Sequence, residues 1–221
     1  MCGLYRLITP PEKVRERFGY VEEEVFAPRQ VIRPGEPVGI VRLEDDGRRH
    51  FRLVLWGLVP HWMREWPKGR RIINARAETL LEKPMFRGAA RHRRCLVVAD
   101  GFHEWTGPRG AKRAVLFTLP DERVFAMAGL WEHWQGADGS EMETMTIITV
   151  DANADVAPVH ERMPALLRRE HWAAWLDARN VPAEQAVRLL QPAPAGMLRA
   201  VEVGNPLRRV AGGGGGADGE S

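Results

Sequence analysis

The sequence predicts an α+β or mixed-sheet domain built from curled antiparallel strands. Short apolar or alternating runs bounded by turn residues recur through the interior of the chain, and they outnumber the helical patterns. Strand-like and helix-like segments do not alternate strictly, which disfavours a doubly wound parallel sheet. A chain of 221 residues is long enough to bury one sizeable core, so we expect one domain.

The individual elements follow from the same patterns. The predicted strands are residues 38–41, 51–56, 96–99, 113–118, 124–130 and 144–150. The predicted helices are residues 12–18, 77–92 with an interruption at Pro84, 170–178 and 183–190. In the third helix, Trp172, Trp175 and Leu176 recur at i, i+3 and i+4, which predicts a stripe facing the core.

Composition excludes several classes of protein. Hydrophobic residues make up 44% of the chain and charged residues 28%, as in ordinary globular proteins. No apolar run reaches the length of a membrane span, and residues 1–4 lack the features of a secretory signal, so we expect a cytoplasmic protein. Cys2 and Cys95 are the two cysteines, which excludes a disulfide framework and a Cys-x-x-Cys metal site.

The distribution of charge is more informative than the net charge of +3. Basic residues bunch at 68–71 and at 91–94, and such clusters suit contacts with phosphate groups. A solvated charged face is an equally good interpretation of either cluster. Residues 211–221 form a Gly-rich tail that we expect to be flexible.

Cys2 is the most informative residue, because removal of Met1 would make it the amino terminus. Such a cysteine carries an α-amine, with a pKa of about 7.7–8.0, on the carbon next to the one that carries its thiol. An aldehyde would form an imine with the amine, and the sulfur would then close a five-membered thiazolidine ring. The alternative is that a cysteine stands at position 2 by chance.

Asn74 and Arg76 belong to a second polar stretch, residues 72–79. In an extended segment their side chains would share one face, where an amide beside a guanidinium could bind a sugar oxygen next to a phosphate. Local pattern alone favours a different role for Asn74, as the cap of the helix that follows.

Glu104 and His160 are the candidates for proton transfer. Glu104 stands among the aromatic residues of segment 99–105. Burial there would raise its pKa toward the range useful for acid–base catalysis. The alternative is that Glu104 is a surface glutamate beside a hairpin. His160 lies between two prolines on a predicted rigid loop and could titrate near neutral pH. Arg162, two residues later, would point the same way in an extended segment. We interpret His50 and His133 as solvated.

Aromatic residues alternate with cations after residue 56. Trp62 and Trp66 precede the basic cluster at 68–71, an arrangement that suits stacking on unpaired bases. Trp56 is at least as well explained as a core residue.

Five motifs in this order resemble the SOS response-associated peptidase (SRAP) family. They are CG at 2–3, WGLVP at 56–60, NARAET at 74–79, DGFHEW at 100–105 and HERMP at 160–164. Residues 203–205 resemble the closing segment of the family. The resemblance covers residues 2–210 and implies one SRAP domain, a mixed β-rich fold with a barrel-like core and flanking helices.

The resemblance also implies a function, namely the capture of abasic sites in single-stranded DNA as a covalent crosslink to the N-terminal cysteine. By the resemblance, Cys2 would form the imine and the thiazolidine, and Asn74 would orient the amine or the sugar. Glu104 would move protons, and His160 would assist opening of the sugar ring. The residues that the resemblance and the basic cluster assign to DNA binding are Arg6, Trp62, Arg71, Arg76 and Arg162. No cofactor, no metal, no membrane and no obligate protein partner is expected, and the protein would associate with the nucleoid when bound to DNA.

Three positions depart from the usual pattern of the family. Leu4 replaces an arginine, Val25 replaces an asparagine, and His103 replaces an aromatic residue before the motif glutamate. Leu4 removes one expected contact with DNA, and Arg6 is the nearest basic substitute.

Two other functions remain open on the sequence. The Cys2 thiolate could attack an amide with its own α-amine as the base, as in an N-terminal-nucleophile peptidase or amidohydrolase. Alternatively, the chain could bind single-stranded or modified DNA without covalent chemistry. Blocking the amine of Cys2 would stop both aldehyde capture and amide hydrolysis but would leave simple DNA binding intact. The two covalent reactions are then distinguished by their substrates, an abasic site in one case and an amide in the other.

Overall fold

The computed structural model describes residues 2–22, 26–69, 71–108, 110–121 and 123–207. The strands are β1 Tyr5–Leu7, β2 Arg29–Ile32, β3 Pro37–Leu43, β4 Arg49–Trp56, β5 Asn74–Arg76, β6 Arg94–Ala99, β7 Gly101–Thr106, β8 Arg113–Thr118, β9 Phe125–Gln135, β10 Glu141–Asp151, β11 Arg162–Pro164, β12 Leu166–Leu167 and β13 Arg199–Val203. The α-helices are α1 Pro11–Phe18, α2 Pro84–His92, α3 Trp172–Leu176 and α4 Ala183–Ala186. Short 3-10 helices occupy Ala77–Thr79, Arg169–His171 and Val187–Leu189.

Five strands close into a barrel in the order β10-β4-β3-β6-β9. The ring closes because β10 pairs antiparallel with β9 over most of its length and also parallel with β4 at Thr144 and Met145. Every residue of β6 is buried, as expected for a strand with the barrel interior on one face and helices on the other. The predicted α+β class with a barrel-like core is confirmed.

A second sheet places the amino-terminal strand beside the motif glutamate. Its strand order is β13-β8-β7-β1-β2, and β1 pairs antiparallel with β7. Because β1 begins shortly after Cys2 and β7 contains Glu104, this pairing carries both residues to one end of the sheet.

The helices flank the sheets, and α2, α3 and α4 are shorter than their sequence patterns. Helix α1 begins at Pro11, where a missing N–H costs nothing, and ends before Gly19, which adopts the left-handed conformation at φ 66°. The predicted helix 77–92 is divided into a 3-10 turn and α2, which starts at Pro84. The predicted stripe of Trp172, Trp175 and Leu176 is buried.

Two sequence interpretations are corrected by the fold. His50 is buried rather than solvated, and it contacts the carboxylates of Glu22 at 2.5 Å and Asp46 at 3.0 Å. Arg94, from the basic cluster at 91–94, is also buried and donates hydrogen bonds to the carbonyl groups of Trp175 and Asp177. Both side chains serve the fold, whereas the His133 side chain is exposed as expected.

Burial of His103 makes the stability of the fold depend on pH. Burial and the neighbouring Arg6 charge lower the pKa of His103 from 6.5 to about 4. The unfolded chain therefore binds more protons than the folded chain between those two values, and stability falls as the pH falls through that window.

We expect His103→Phe to flatten this acid dependence. Chemical denaturation at about pH 7 and about pH 4.5 should show a smaller loss of unfolding free energy in the variant than in the unmodified chain. His133→Phe, at an exposed histidine on β9, is the matched control and should not flatten it. An unchanged acid dependence in His103→Phe would show that folding does not lower the pKa of His103.

Some expectations fall outside the described residues, namely those on Met1, on Val25 and on the tail at 211–221. Among the described residues, no helix is long and apolar enough to cross a bilayer.

Candidate functional site

Pairing of β1 with β7 positions Cys2. Tyr5 is opposite Phe102 and Arg6 is opposite Gly101, and the His103 N–H donates to the Leu4 carbonyl at 2.9 Å. Extending this antiparallel register toward the amino terminus brings Gly3 opposite Glu104. Cys2 is therefore held beside the motif glutamate, and its exposed fraction is 0%.

Asp100 anchors the opposite end of β1. This fully buried carboxylate accepts hydrogen bonds from the Ile8 N–H at 2.7 Å, from the Thr9 N–H at 2.8 Å and from the Arg6 Nε at 3.0 Å. The sequence indicated only a turn at Asp100. The position of Asp100, a charged residue directly after the buried strand 96–99, is the sequence feature that could have predicted this anchoring role.

Asn74 connects β5 to Cys2. Its Nδ2 donates to the Cys2 carbonyl at 2.9 Å, while its Oδ1 is buried and has no hydrogen-bond partner among the described residues. The residue that caps the following 3-10 helix is Arg76, so the interpretation of Asn74 as a helix cap is wrong. The segment is extended because β5 pairs parallel with β10, with Asn74 opposite Ile147.

Glu104 is almost fully buried, with 2% exposed, as its aromatic surroundings predicted. Burial raises the pKa of Glu104, and the nearby His160 offsets part of that rise. Burial also raises the pKa of the Cys2 thiol, and the Glu104 charge raises it further. These electrostatic interactions link Cys2, Glu104 and His160 in one site, where the thiol is held in its protonated form.

His160 lies on the predicted loop, between β10 and β11, and its ring orientation is fixed by the backbone. The Arg162 N–H donates to His160 Nδ1 at 2.9 Å. The Arg162 carbonyl is farther from the same nitrogen, at 3.2 Å, so the N–H contact decides the tautomer. In the neutral ring the proton then resides on Nε2, which can donate it.

Arg162 is bound by acidic groups of the protein itself. Its two terminal nitrogens each lie 2.9 Å from an oxygen of Glu78, and one of them also contacts Asp151 Oδ1 at 2.5 Å. The other donates to the Thr149 carbonyl at 2.7 Å. This network, which the sequence did not reveal, fixes the segment whose backbone orients His160.

The other residues predicted to contact DNA differ in exposure. Arg76 is exposed and forms no ion pair within the described part of the chain, whereas Arg6 is buried against Asp100. The Arg71 side chain lies across Gly57, which has φ 143°, so closely that a Cβ there would come within 3.0 Å of it. Trp62 is 56% exposed, while Trp56 is buried and donates to the Ile73 carbonyl.

The site contains a thiol, a buried carboxyl group, an imidazole and an amide whose oxygen has no hydrogen-bond partner in the described part of the chain. Together these groups can carry out general acid–base and nucleophilic chemistry at the amino terminus. Within the described ranges, no three His, Cys, Asp or Glu side chains converge in a way that could hold a metal ion.

Comparisons with known proteins identify the family of this chain. Residues 1–210 match the family "SOS response associated peptidase (SRAP)". Abasic site processing protein YoqW of Bacillus subtilis is 33% identical over 208 residues, covering 92% of each chain. Abasic site processing protein HMCES of Gallus gallus is 36% identical over 173 residues, covering 67% of this chain and 52% of that protein.

A solved structure shares the fold. A crystal structure of a protein from Bacteroides thetaiotaomicron superposes with a TM-score of 0.84 at 27% identity, covering 92% of this chain and 93% of that one. The family match spans nearly the whole chain, and three of the motifs that resemble the family supply Asn74, Glu104 and His160 to the site at Cys2. This chain belongs to the SOS response associated peptidase family.

Proposed function

We propose that this protein, after removal of Met1, binds abasic sites in single-stranded DNA and captures them as a thiazolidine crosslink through Cys2. The observation that carries the proposal is that Asn74 and Glu104 lie beside buried Cys2, which removal of Met1 would make the amino terminus, and that His160 lies near Glu104. The names of the relatives YoqW and HMCES, both called abasic site processing proteins, support the choice of substrate.

The reaction begins with release of the aldehyde. An abasic deoxyribose is mostly closed as a hemiacetal, and opening it requires a proton on the ring oxygen and removal of one from the hydroxyl group. His160 can donate from Nε2, because its Nδ1 is occupied by the Arg162 N–H.

Imine formation uses the amine of Cys2. The amine nitrogen attacks the aldehyde carbon, and the resulting carbinolamine loses one water as the C=N bond forms. The Asn74 Oδ1, which has no hydrogen-bond partner among the described residues, can accept a hydrogen bond from this amine and orient its lone pair. Glu104, whose pKa is raised by burial, can protonate the departing hydroxyl group.

Ring closure uses the thiol. The sulfur adds to the imine carbon, the C=N bond becomes a single bond, and the thiol proton ends on nitrogen through the Glu104 carboxylate. The net reaction joins DNA and protein and releases one water. The same imine opens a route to β-elimination, so strand cleavage at the abasic site is an expected side reaction.

Amide hydrolysis is the less favoured alternative. A peptidase of the N-terminal-nucleophile class needs a thiolate as the attacking group, and burial beside Glu104 raises the pKa of this thiol. The imine route needs the thiol only in its second step, after the amine has reacted. The environment of Cys2 therefore favours an aldehyde substrate.

The proposal is tested with three matched single-stranded oligonucleotides. One carries an abasic site, one carries a tetrahydrofuran analogue that lacks the aldehyde, and one is intact. On denaturing gels we expect a shifted band for the first oligonucleotide alone. Equal bands with the tetrahydrofuran analogue would exclude aldehyde capture.

Arg76 is the exposed cation best placed to contact a phosphate beside the lesion. It follows Asn74 on the same face of β5, and it forms no ion pair within the described ranges. We expect Arg76→Ala to weaken binding of single-stranded DNA and to reduce the slope of log K against log salt by about 0.7, the value of one phosphate contact.

Arg188→Ala, at an exposed arginine near the carboxyl end of the domain, is the matched control. Binding titrations at several salt concentrations should leave its slope unchanged. A slope for Arg76→Ala equal to that of the unmodified chain would remove Arg76 from the phosphate contacts.

A further inference from the structure

A cavity lies at the end of β1 remote from Cys2. It has a volume of about 650 Å³ and opens between helix α1, the segment after β8 and the 3-10 helix at Arg169–His171. Ile8, Thr9 and Pro10 form its wall, six or more residues along an extended chain from Cys2. Because strand β1, Tyr5–Leu7, runs between Cys2 and this wall, the cavity and the thiol lie at opposite ends of the strand and form separate sites.

Positive charge dominates the described lining of this cavity. The charged lining residues are Lys13, Glu16, Arg17, Asp121, Arg123 and Arg169. Asp121 is engaged by Arg123 at 2.7 Å, so one of the two acids is already neutralised by one of the four cations. Lys13, Arg17 and Arg169 form no ion pair within the part of the chain that the structure describes.

Arg17 is the central cation of this cluster. Its guanidinium lies over the ring of Trp172, 5.7 Å from the centroid, and its Nε is buried without a hydrogen-bond partner among the described residues. Burial lowers the pKa of Arg17, and the charges of Arg169 and Arg123 lower it further. Like charges are thus held together around an unsatisfied donor, an arrangement that an anion would stabilise.

The chemistry of the lining selects a phosphate group. Guanidinium groups bind phosphate oxygens through paired N–H donors, and a guanidinium keeps its charge at every physiological pH. The cavity volume lies within the range of about 300–1,000 Å³ that is typical of small-molecule sites, so the ligand can be as large as a nucleotide.

We propose that the cavity bounded by Arg17, Arg123 and Arg169 binds the phosphate group of a nucleotide. Two sources share this chemistry, a free mononucleotide and a nucleotide unit of single-stranded DNA. The site is independent of the chemistry at Cys2, since no residue of the proposed crosslinking reaction lines it.

The test is calorimetric titration of the full chain with thymidine 5′-monophosphate and with thymidine, which lacks the phosphate. We expect binding of the monophosphate alone. Arg169→Gln, at an exposed arginine without an ion pair in the described ranges, should weaken it at least about tenfold, the scale of a charge-assisted hydrogen bond to phosphate. Arg17→Gln should also weaken binding of the monophosphate. If Arg17→Gln unfolds because its contact with Trp172 is lost, Arg169→Gln still tests the proposal.

Arg87→Gln, at an exposed arginine on α2, is the matched control and should bind the monophosphate as the unmodified chain does. Absence of binding to the unmodified chain, or equal weakening in Arg87→Gln and Arg169→Gln, would overturn the proposal. Repeating the titration in Cys2→Ala separates this site from the crosslinking reaction, because phosphate binding should persist there.

A competition experiment distinguishes the two sources of phosphate. If an intact single-stranded oligonucleotide displaces the monophosphate, and Arg169→Gln lowers the salt dependence of oligonucleotide binding, the occupant is the DNA backbone. If the monophosphate stays bound in the presence of saturating oligonucleotide, the occupant is a free nucleotide. Either result supports a phosphate site in this cavity.

Discussion

Replacing Cys2 with alanine is expected to abolish the crosslink that survives denaturation, while most non-covalent affinity for single-stranded DNA remains. The variant keeps an α-amine after removal of Met1, so it can still form an imine, but it has no sulfur to close the ring. An imine hydrolyses in water, whereas the thiazolidine persists. The measurement is the yield of protein–DNA adduct on a denaturing gel without a reductant.

Two controls make this result specific to the thiol at the amino terminus. Cys95→Ala removes the second cysteine, which is also fully buried, and it should leave the crosslink intact. Borohydride reduction of the Cys2→Ala reaction should recover an adduct by trapping the imine. A stable adduct from Cys2→Ala without borohydride would contradict the thiazolidine mechanism.

Glu104→Gln should slow crosslinking by about 10²–10⁴-fold, the usual contribution of a positioned acid–base group. The substitution keeps the size of the side chain but removes its ability to exchange a proton with the carbinolamine and the thiol. Because the residue is buried beside Cys2 rather than on an exposed surface, DNA affinity should change far less than the rate.

Glu132→Gln is the matched control for this substitution. Glu132 is a second buried strand glutamate, paired with Arg93 at 2.9 Å, and it lies outside the site at Cys2. Single-turnover rates and binding constants of both variants separate chemistry from folding. Equal loss of rate and affinity in Glu104→Gln, or equal slowing in Glu132→Gln, would indicate a structural role for Glu104.

Local patterns were sufficient for the five barrel strands and β8, but they missed the other described strands, namely β1, β2, β5, β7, β11, β12 and β13. Strand periodicity located all six predicted strands, and the spacing of Trp172, Trp175 and Leu176 predicted the buried face of α3. The long hairpin of β9 and β10 was underestimated, because polar residues such as Glu132 and Glu143 occupy strand positions there. A polar strand end is stabilised by its partner strand, which local sequence does not show.

Contacts between distant parts of the chain set the limit of sequence reasoning at the site. Asn74 was better explained locally as a helix cap, yet its partner is the Cys2 carbonyl, 72 residues away. Arg162 was assigned to a phosphate, and the sequence could not reveal that Glu78 and Asp151 would surround it. Charged side chains find partners through the tertiary fold, so a motif gives their chemistry but not their contacts.

The departures from the family pattern also gain a physical meaning from the fold. Leu4, at a position where the family usually has arginine, is buried in the core beside β7. Arg6 does not replace that arginine at an exposed position, since its guanidinium is directed to the buried Asp100. The proposed contacts with DNA would therefore depend more heavily on exposed residues such as Arg76 and Trp62.

Intact-mass spectrometry tests the central claim most directly. The purified protein is measured before and after incubation with single-stranded DNA that carries one abasic site. We predict a species that lacks Met1 and gains the mass of the DNA minus one water, and that survives denaturation without a reductant. A protein with a free Cys2 amino terminus and no adduct would contradict covalent capture.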